Sequence, residues 1–378
     1  MTTNAIATLT NAFEGTFTTT DRAADRNVVV VSWPSVPIEI IRASGLRPFF
    51  ARGSAVATPA ADEHLEADIF PSRLRGLVDA TLTGRLSHAA RIVVPRTSDP
   101  DYKCFLYLRE FVRLGTAPAL PPTLLFDLLQ SQGTDVRSYN AARTHALFEE
   151  LSTIGGHEPS FDDLRHEIVQ TNAARAAARR LAAQRRGAPR VAGSEVFPLL
   201  GAFWRMAPED YAALAGKAAD EIERRSPLTG PRVLLAGAPV DTPALHAAIE
   251  SRGAIVVAEV GPWGSGAAGD DVICGDDPIT ALSEKYRADA IGPRTPANAI
   301  RASIASALDQ VDAVVVSLPP DDTAFGWDYP ALRGLLETRR IPHTCLHGDP
   351  YQPLSPSDSE RIDALLDAAV ARTEVLHG

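Results

Sequence analysis

The amino-acid sequence predicts two α/β domains with mainly parallel sheets, joined by a helical segment. Three observations carry this. Short runs of β-branched and apolar residues recur, as in Asn27-Val28-Val29-Val30-Val31-Ser32 and Arg232-Val233-Leu234-Leu235-Ala236-Gly237, and such runs mark strands buried on both faces. Stretches of helical spacing follow them, and strands alternating with helices argue for a parallel sheet covered on both sides. Between Val136 and about Arg224 the strand pattern stops and helix follows helix. A length of 378 residues suits two cores and a connector better than one core.

Residues 1–25, rich in Thr and Ala, read as a flexible N-terminal arm. The first α/β domain spans 26–135. After the Val28 run, Pro37 to Ser44 has helical spacing through Ile38 and Ile41, with Gly45 where a helix end favours left-handed backbone. Pro48-Phe49-Phe50 is a second strand, and Pro71 to Leu86 is a helix with Leu74, Leu77, Val78 and Leu82 on one face. Ile92 to Val94 is a strand, Tyr102 to Leu114 a helix and Thr123 to Leu129 a strand. The helical connecting segment spans 136–230. It holds a long Ala-rich helix from Asp163 to Arg186, introduced by Ser160 and an acidic first turn, and a further helix from Pro208 to Arg224. The linker Ser226-Pro227-Leu228-Thr229-Gly230-Pro231 leads into the second α/β domain, 231–378. Its strands are Arg232–Gly237, Ala254–Val260, Ala313–Leu318 and Ile341–Leu346, and its helices are Pro243–Gly253, Ala297–Gln310, Tyr329–Thr338 and Ser357–His377.

Composition narrows the function. Hydrophobic residues at 45% and charged residues at 22% are ordinary for a soluble globular chain. A net charge of -10 argues against a nucleic-acid partner. An anionic small ligand would need a locally basic pocket. The N-terminus has neither a basic start nor an apolar core, and no apolar run reaches membrane-spanning length, so neither a signal peptide nor a membrane span is expected. The three cysteines, Cys104, Cys274 and Cys345, form no CxxC pair, which points to the reducing cytoplasm rather than to a disulfide framework.

Several motifs carry two readings each. Leu235-Ala236-Gly237-Ala238-Pro239-Val240-Asp241 runs from a strand into a small-residue turn before a helix, either a tight packing turn or an anion-binding helix start. The glycine-rich loop Gly261–Gly269 lies beyond a strand end, where ligand crevices form in open sheets. Its Trp263 is either a ligand contact or a loop anchor. The arginines of the long helix, Arg175, Arg179, Arg180, Arg185 and Arg186, form either a phosphate-binding face or a solvated one. His343 and His347 share a strand face near Asp349, without a third convincing metal ligand.

Three stretches in order, Ser32-Trp33-Pro34-Ser35-Val36-Pro37-Ile38-Glu39-Ile40-Ile41-Arg42-Ala43-Ser44-Gly45-Leu46, Arg91-Ile92-Val93-Val94-Pro95-Arg96-Thr97-Ser98-Asp99 and Phe325-Gly326-Trp327-Asp328-Tyr329-Pro330, resemble the 2-hydroxyacyl-CoA dehydratase family. This is also called the D-component family and includes benzoyl-CoA reductase subunits. Gly193-Ser194-Glu195, Arg232 to Asp241, Ala281 to Arg287 and Gly348-Asp349 extend the likeness over nearly the whole chain. The resemblance implies two Rossmann-like domains with the active site in the cleft between them. It also implies a 4Fe–4S cluster on three cysteine thiolates, since soft sulfur suits iron, and an ATP-dependent activator that injects one electron to enable radical chemistry on a CoA thioester.

The matching ligand positions lack sulfur here. They are Ser98 in Thr97-Ser98-Asp99, Gly292 in Gly292-Pro293-Arg294 and Asp321 in Pro320-Asp321-Asp322. The expectation is therefore a cytoplasmic subunit of a dehydratase-like or benzoyl-CoA reductase-like complex. It would hold no cofactor of its own, and a homologous partner subunit would carry the 4Fe–4S cluster. Ser32, Ser35, Ser98, Trp263, Asp321 and Asp322 are the candidates for the substrate cleft, and no residue is singled out as catalytic. The alternative is a non-catalytic CoA-ligand-binding or scaffold protein that keeps the dehydratase fold.

Overall fold

A computed structural model describes residues 4–15, 27–116, 120–156, 159–289, 294–320, 322 and 324–377. Its first half runs α1 (Ala5–Glu14), β1 (Val28–Val31), α2 (Ile38–Ala43), β2 (Arg47–Phe50), α3 (Pro59–Asp62), α4 (Ser72–Leu82), β3 (Arg91–Pro95), α5 (Asp99–Leu114) and β4 (Thr123–Phe126). The helices α6 (Thr134–Gly155), α7 (Phe161–Ala183), α8 (Gly193–Gly201) and α9 (Pro208–Glu223) follow. The second half runs β5 (Arg232–Gly237), α10 (Ala244–Glu250), β6 (Ile255–Glu259), α11 (Pro278–Asp289), α12 (Ala297–Ala307), β7 (Ala313–Ser317), α13 (Phe325–Thr338), β8 (His343–Leu346) and α14 (Pro356–His377).

The strands form two four-stranded sheets of the same order, β2-β1-β3-β4 and β6-β5-β7-β8, with every pairing parallel. Alternation explains why their sequences are apolar throughout. Val29, Val31 and Val93 face one core while Val28, Val30, Ile92 and Val94 face another. In the second sheet Val233, Leu235 and Val315 point one way and Leu234, Val314 and Val316 the other. This is the predicted α/β class with two Rossmann-like parallel sheets. In each sheet the chain order reverses beside the first strand, between β1 and β3 and between β5 and β7, which makes two topological switch points.

One face of the first sheet packs on α1 and α6 to α9 in a single large core. The arm expected over residues 1–25 is corrected here for its described part. Asn4 caps α1 by accepting from the Ala7 N–H at 3.1 Å, and Leu9 and Phe13, one turn apart, are fully buried. Residues 16–26 lie outside the described set. Residues 263–286, which follow β6 in the chain, contribute Trp263, Ile279, Leu282 and Tyr286 to this same helical core before the chain returns to the second sheet.

Four of the five arginines named in and just after the long central helix are spent on structure. Arg175 pairs with Glu39 at 2.6 Å and Arg185 with Glu259 at 2.6 Å, all four side chains buried, while Arg179 and Arg180 meet Asp271, Asp220 and Glu223 at the surface. The Ser160–Asp163 capping box starts that helix.

Candidate functional site

A cavity of about 170 Å³ lies where the carboxyl ends of the two sheets face each other. Trp33, Arg73 and Ser98 line it from the first sheet's side, and Asp241, Asp322 and Tyr351 from the second. Both switch points therefore open on one cleft, the usual ligand position in open parallel sheets.

At the first switch point the chemistry centres on Asp101, which is fully buried in the first turn of α5. Arg73, on α4, donates to both of its carboxylate oxygens, at 2.8 and 3.1 Å. The hydroxyls of Thr97 and Ser98 donate to the same carboxylate, the latter at 2.6 Å. Ser98 is also the N-cap of α5, accepting the Asp101 N–H at 3.1 Å. Arg73 completes its shell on the Ser32 carbonyl at 3.1 Å and lies 4.6 Å from the centre of the Trp33 ring. A buried ion pair needs such saturation, because an unsatisfied charge away from water is costly.

The second switch point is organised differently. Asp241 sits past the end of β5, buried, and takes the Gly53 N–H at 2.8 Å on one oxygen and the Tyr351 hydroxyl on the other. Its backbone carbonyl accepts from Arg52 at 3.2 Å. Burial raises the Asp241 carboxyl above its ordinary range, and the Gly53 N–H with the nearby Arg52 and Arg73 charges only partly oppose it. Arg205 lies deeper, 4.3 Å over the Phe49 ring, and burial together with neighbouring Arg52 pushes its guanidinium down to about 9. Asp322 accepts from the N–H groups of Phe325 and Gly326 at 3.0 and 2.7 Å and so caps α13 while facing the cavity.

Of the residues expected in the cleft, Ser98 and Asp322 line its cavity. Ser32 and Ser35 are buried just behind it, each with a hydroxyl that meets no partner. Ser35 borders a separate void of about 20 Å³ beside Thr97 and Tyr286. Asp321 and Gly292 lie outside the described residues. Trp263 is brought elsewhere. It is fully buried against the edge of Phe13 in the helical core, where it anchors its loop, the second of the two readings its position allows. Arg73, Asp101, Asp241 and Tyr351 escaped sequence reasoning, although the turn ending in Asp241 had been marked as an anion-site candidate.

The cysteines are dispersed. Cys104 is buried under the first sheet, and burial pushes its thiol up to about 12. Cys274 is exposed in the loop before α11. Cys345 is half-buried on edge strand β8, its thiol raised by burial. Among the described residues, no three His, Cys, Asp or Glu side chains come together as a metal site. No described helix is long and apolar enough to cross a membrane.

Two like parallel sheets joined through a helical core, with one cleft between their carboxyl ends, define a protein of the paired α/β type. The family model described as 2-hydroxyglutaryl-CoA dehydratase, D-component, matches residues 35–368, and the chain belongs to that family. No curated protein matches it.

Proposed function

We propose that this chain is a subunit of a dehydratase-type complex acting on CoA thioesters, and that it uses the cleft without an iron–sulfur site of its own. Family membership supports the substrate class. The observation that carries the second half is the state of Ser98. Where relatives have a thiolate facing the cleft, this chain has a helix-capping hydroxyl with its proton on Asp101 and its lone pair on the Asp101 N–H.

A serine hydroxyl is un-ionised at neutral pH and is a poor match for iron. The thiols present do not fit a cluster either. Those of Cys104 and Cys345 are raised and sit on a helix and a strand in different cores, and Cys274 lies on an outer loop. No reaction step is therefore assigned to a cluster on this chain. Its own residues would bind and orient the thioester. Arg75, on the cavity wall and paired with Asp62 at 3.2 Å, would turn its cation to the anionic CoA portion, and Asp241 and Tyr351 offer a proton-bearing pair toward the cleft.

The test is anaerobic reconstitution with iron and sulfide, followed by iron and acid-labile sulfide analysis. Substoichiometric, nonspecific iron is expected, and a stoichiometric 4Fe–4S cluster on the chain alone would overturn the proposal. Co-purification with a homologous, cysteine-bearing subunit is the expected companion result. Its absence would favour a stand-alone scaffold that keeps the dehydratase fold.

A further inference from the structure

A second cavity, of about 90 Å³, lies between α12 and α13 at the carboxyl ends of β5 and β7. Its walls are Ile300, Ile304, Val316, Phe325 and Leu332, closed below by Gly237. The polar groups at its rim are engaged. Asp328 is paired with Arg301, and the Tyr329 hydroxyl is hydrogen-bonded to Cys345.

The cavity adjoins the cleft. Phe325 lines both, and the consecutive residues Gly237 and Ala238 front one and the other. Position 237 fits only glycine: its backbone has φ +94°, and a Cβ there would lie 2.3 Å from the Ser317 carbonyl oxygen.

We propose that this cavity is the acyl subsite, and that the acyl group it takes is a short, uncharged aliphatic chain. The inference rests on the thioester reading above and specifies it. The size argues for a short chain, since the cavity is well below the roughly 150 Å³ that an apolar cavity uses to hold a benzene ring. The walls argue against a dicarboxylate. A terminal carboxylate would be desolvated among Ile, Val and Leu side chains, with Arg301 already paired to Asp328. An aliphatic chain passing Phe325 loses nothing on entry and gains the burial of its methylenes.

The experiment is calorimetric titration of the full chain with free CoA, 2-hydroxyhexanoyl-CoA and 2-hydroxyglutaryl-CoA. The aliphatic thioester should bind at least about tenfold tighter than the dicarboxylic one, the discrimination that a hydrophobic pocket delivers for a small change of substituent. Ile304→Phe, which fills the cavity, should bring the two to parity without weakening free CoA. Ile300→Phe, at a half-buried wall position, repeats the test in a variant that disturbs the core less. Equal binding of the two thioesters by the wild-type chain, with free CoA still bound, would sink the subsite and leave the thioester reading standing. Persistence of the preference in folded Ile304→Phe and Ile300→Phe would also sink it. If no CoA compound binds, free CoA included, the thioester reading falls and the subsite with it.

Discussion

Asp101 and Asp241 are both buried carboxylates just beyond a central strand of a parallel sheet, the first after β3 and the second after β5. Asp101 is held by a two-pronged arginine and two hydroxyls, whereas Asp241 is held by one backbone N–H and one phenol. Burial is common to both, so partners make the difference. A two-pronged guanidinium in direct contact ties the first carboxylate into the turn after β3. Burial, met only by neutral donors in direct contact, leaves the second with a raised affinity for protons on the wall of the cleft cavity. The two sheets thus present a rigid wall on one side of the cleft and a protonatable wall on the other.

Removing the carboxylate from the rigid wall is the most severe way to break this comparison. Asp101→Ala leaves Arg73 buried without its counter-ion and removes the acceptor of Thr97 and Ser98. The expected loss is about 3–5 kcal/mol in urea denaturation, the usual cost of orphaning one partner of a buried pair. A loss below about 1 kcal/mol would mean that the Arg73–Asp101 contact does not hold this wall.

On the other wall the corresponding structural demand falls on backbone. Gly237 has φ +94°, and its Cα faces the Ser317 carbonyl across the β5–β7 pair. Gly237→Ala should cost about 1–3 kcal/mol, because the added methyl combines a disfavoured conformation with a contact that only backbone movement relieves. Thermal unfolding reads the difference, and an unchanged midpoint would show that this turn relaxes freely.

How much of this was legible follows from what each feature depends on. Strands buried on both faces have to be apolar, so the Val28–Val31 and Ala313–Ser317 runs announced themselves. Ser98 and Asp322 reached the list of cleft candidates through the family resemblance, as positions at or beside matching ligand sites, and both line the cavity. Helix α1 was hidden by its Thr- and Ala-rich composition. Its stability comes from Phe13 meeting Phe197 and Trp263, residues far along the chain. The same contact removed Trp263 from the cleft. Arg73–Asp101 and Gly53–Asp241 join positions 28 and 188 residues apart, and no local periodicity encodes such pairings.

The smallest effect is the one that tests the protonatable wall most directly. The Asp241 carboxyl binds its proton more tightly in the folded chain than in the unfolded one, so between the two affinities the folded state carries more protons and stability falls as pH rises. Below about pH 3.9, the ordinary aspartate value, both states are protonated and no penalty exists. Above the raised folded value the penalty is complete and constant. Asp241→Asn cannot ionise, yet keeps a carbonyl for the Gly53 N–H. Relative to the wild type it should therefore be stabilised progressively as pH climbs from about 4, with the difference flattening at higher pH. Urea midpoints of the two chains across that range give the curve directly. A difference of the opposite slope would mean that Asp241 is stabilised in its charged form, and the protonatable wall would disappear.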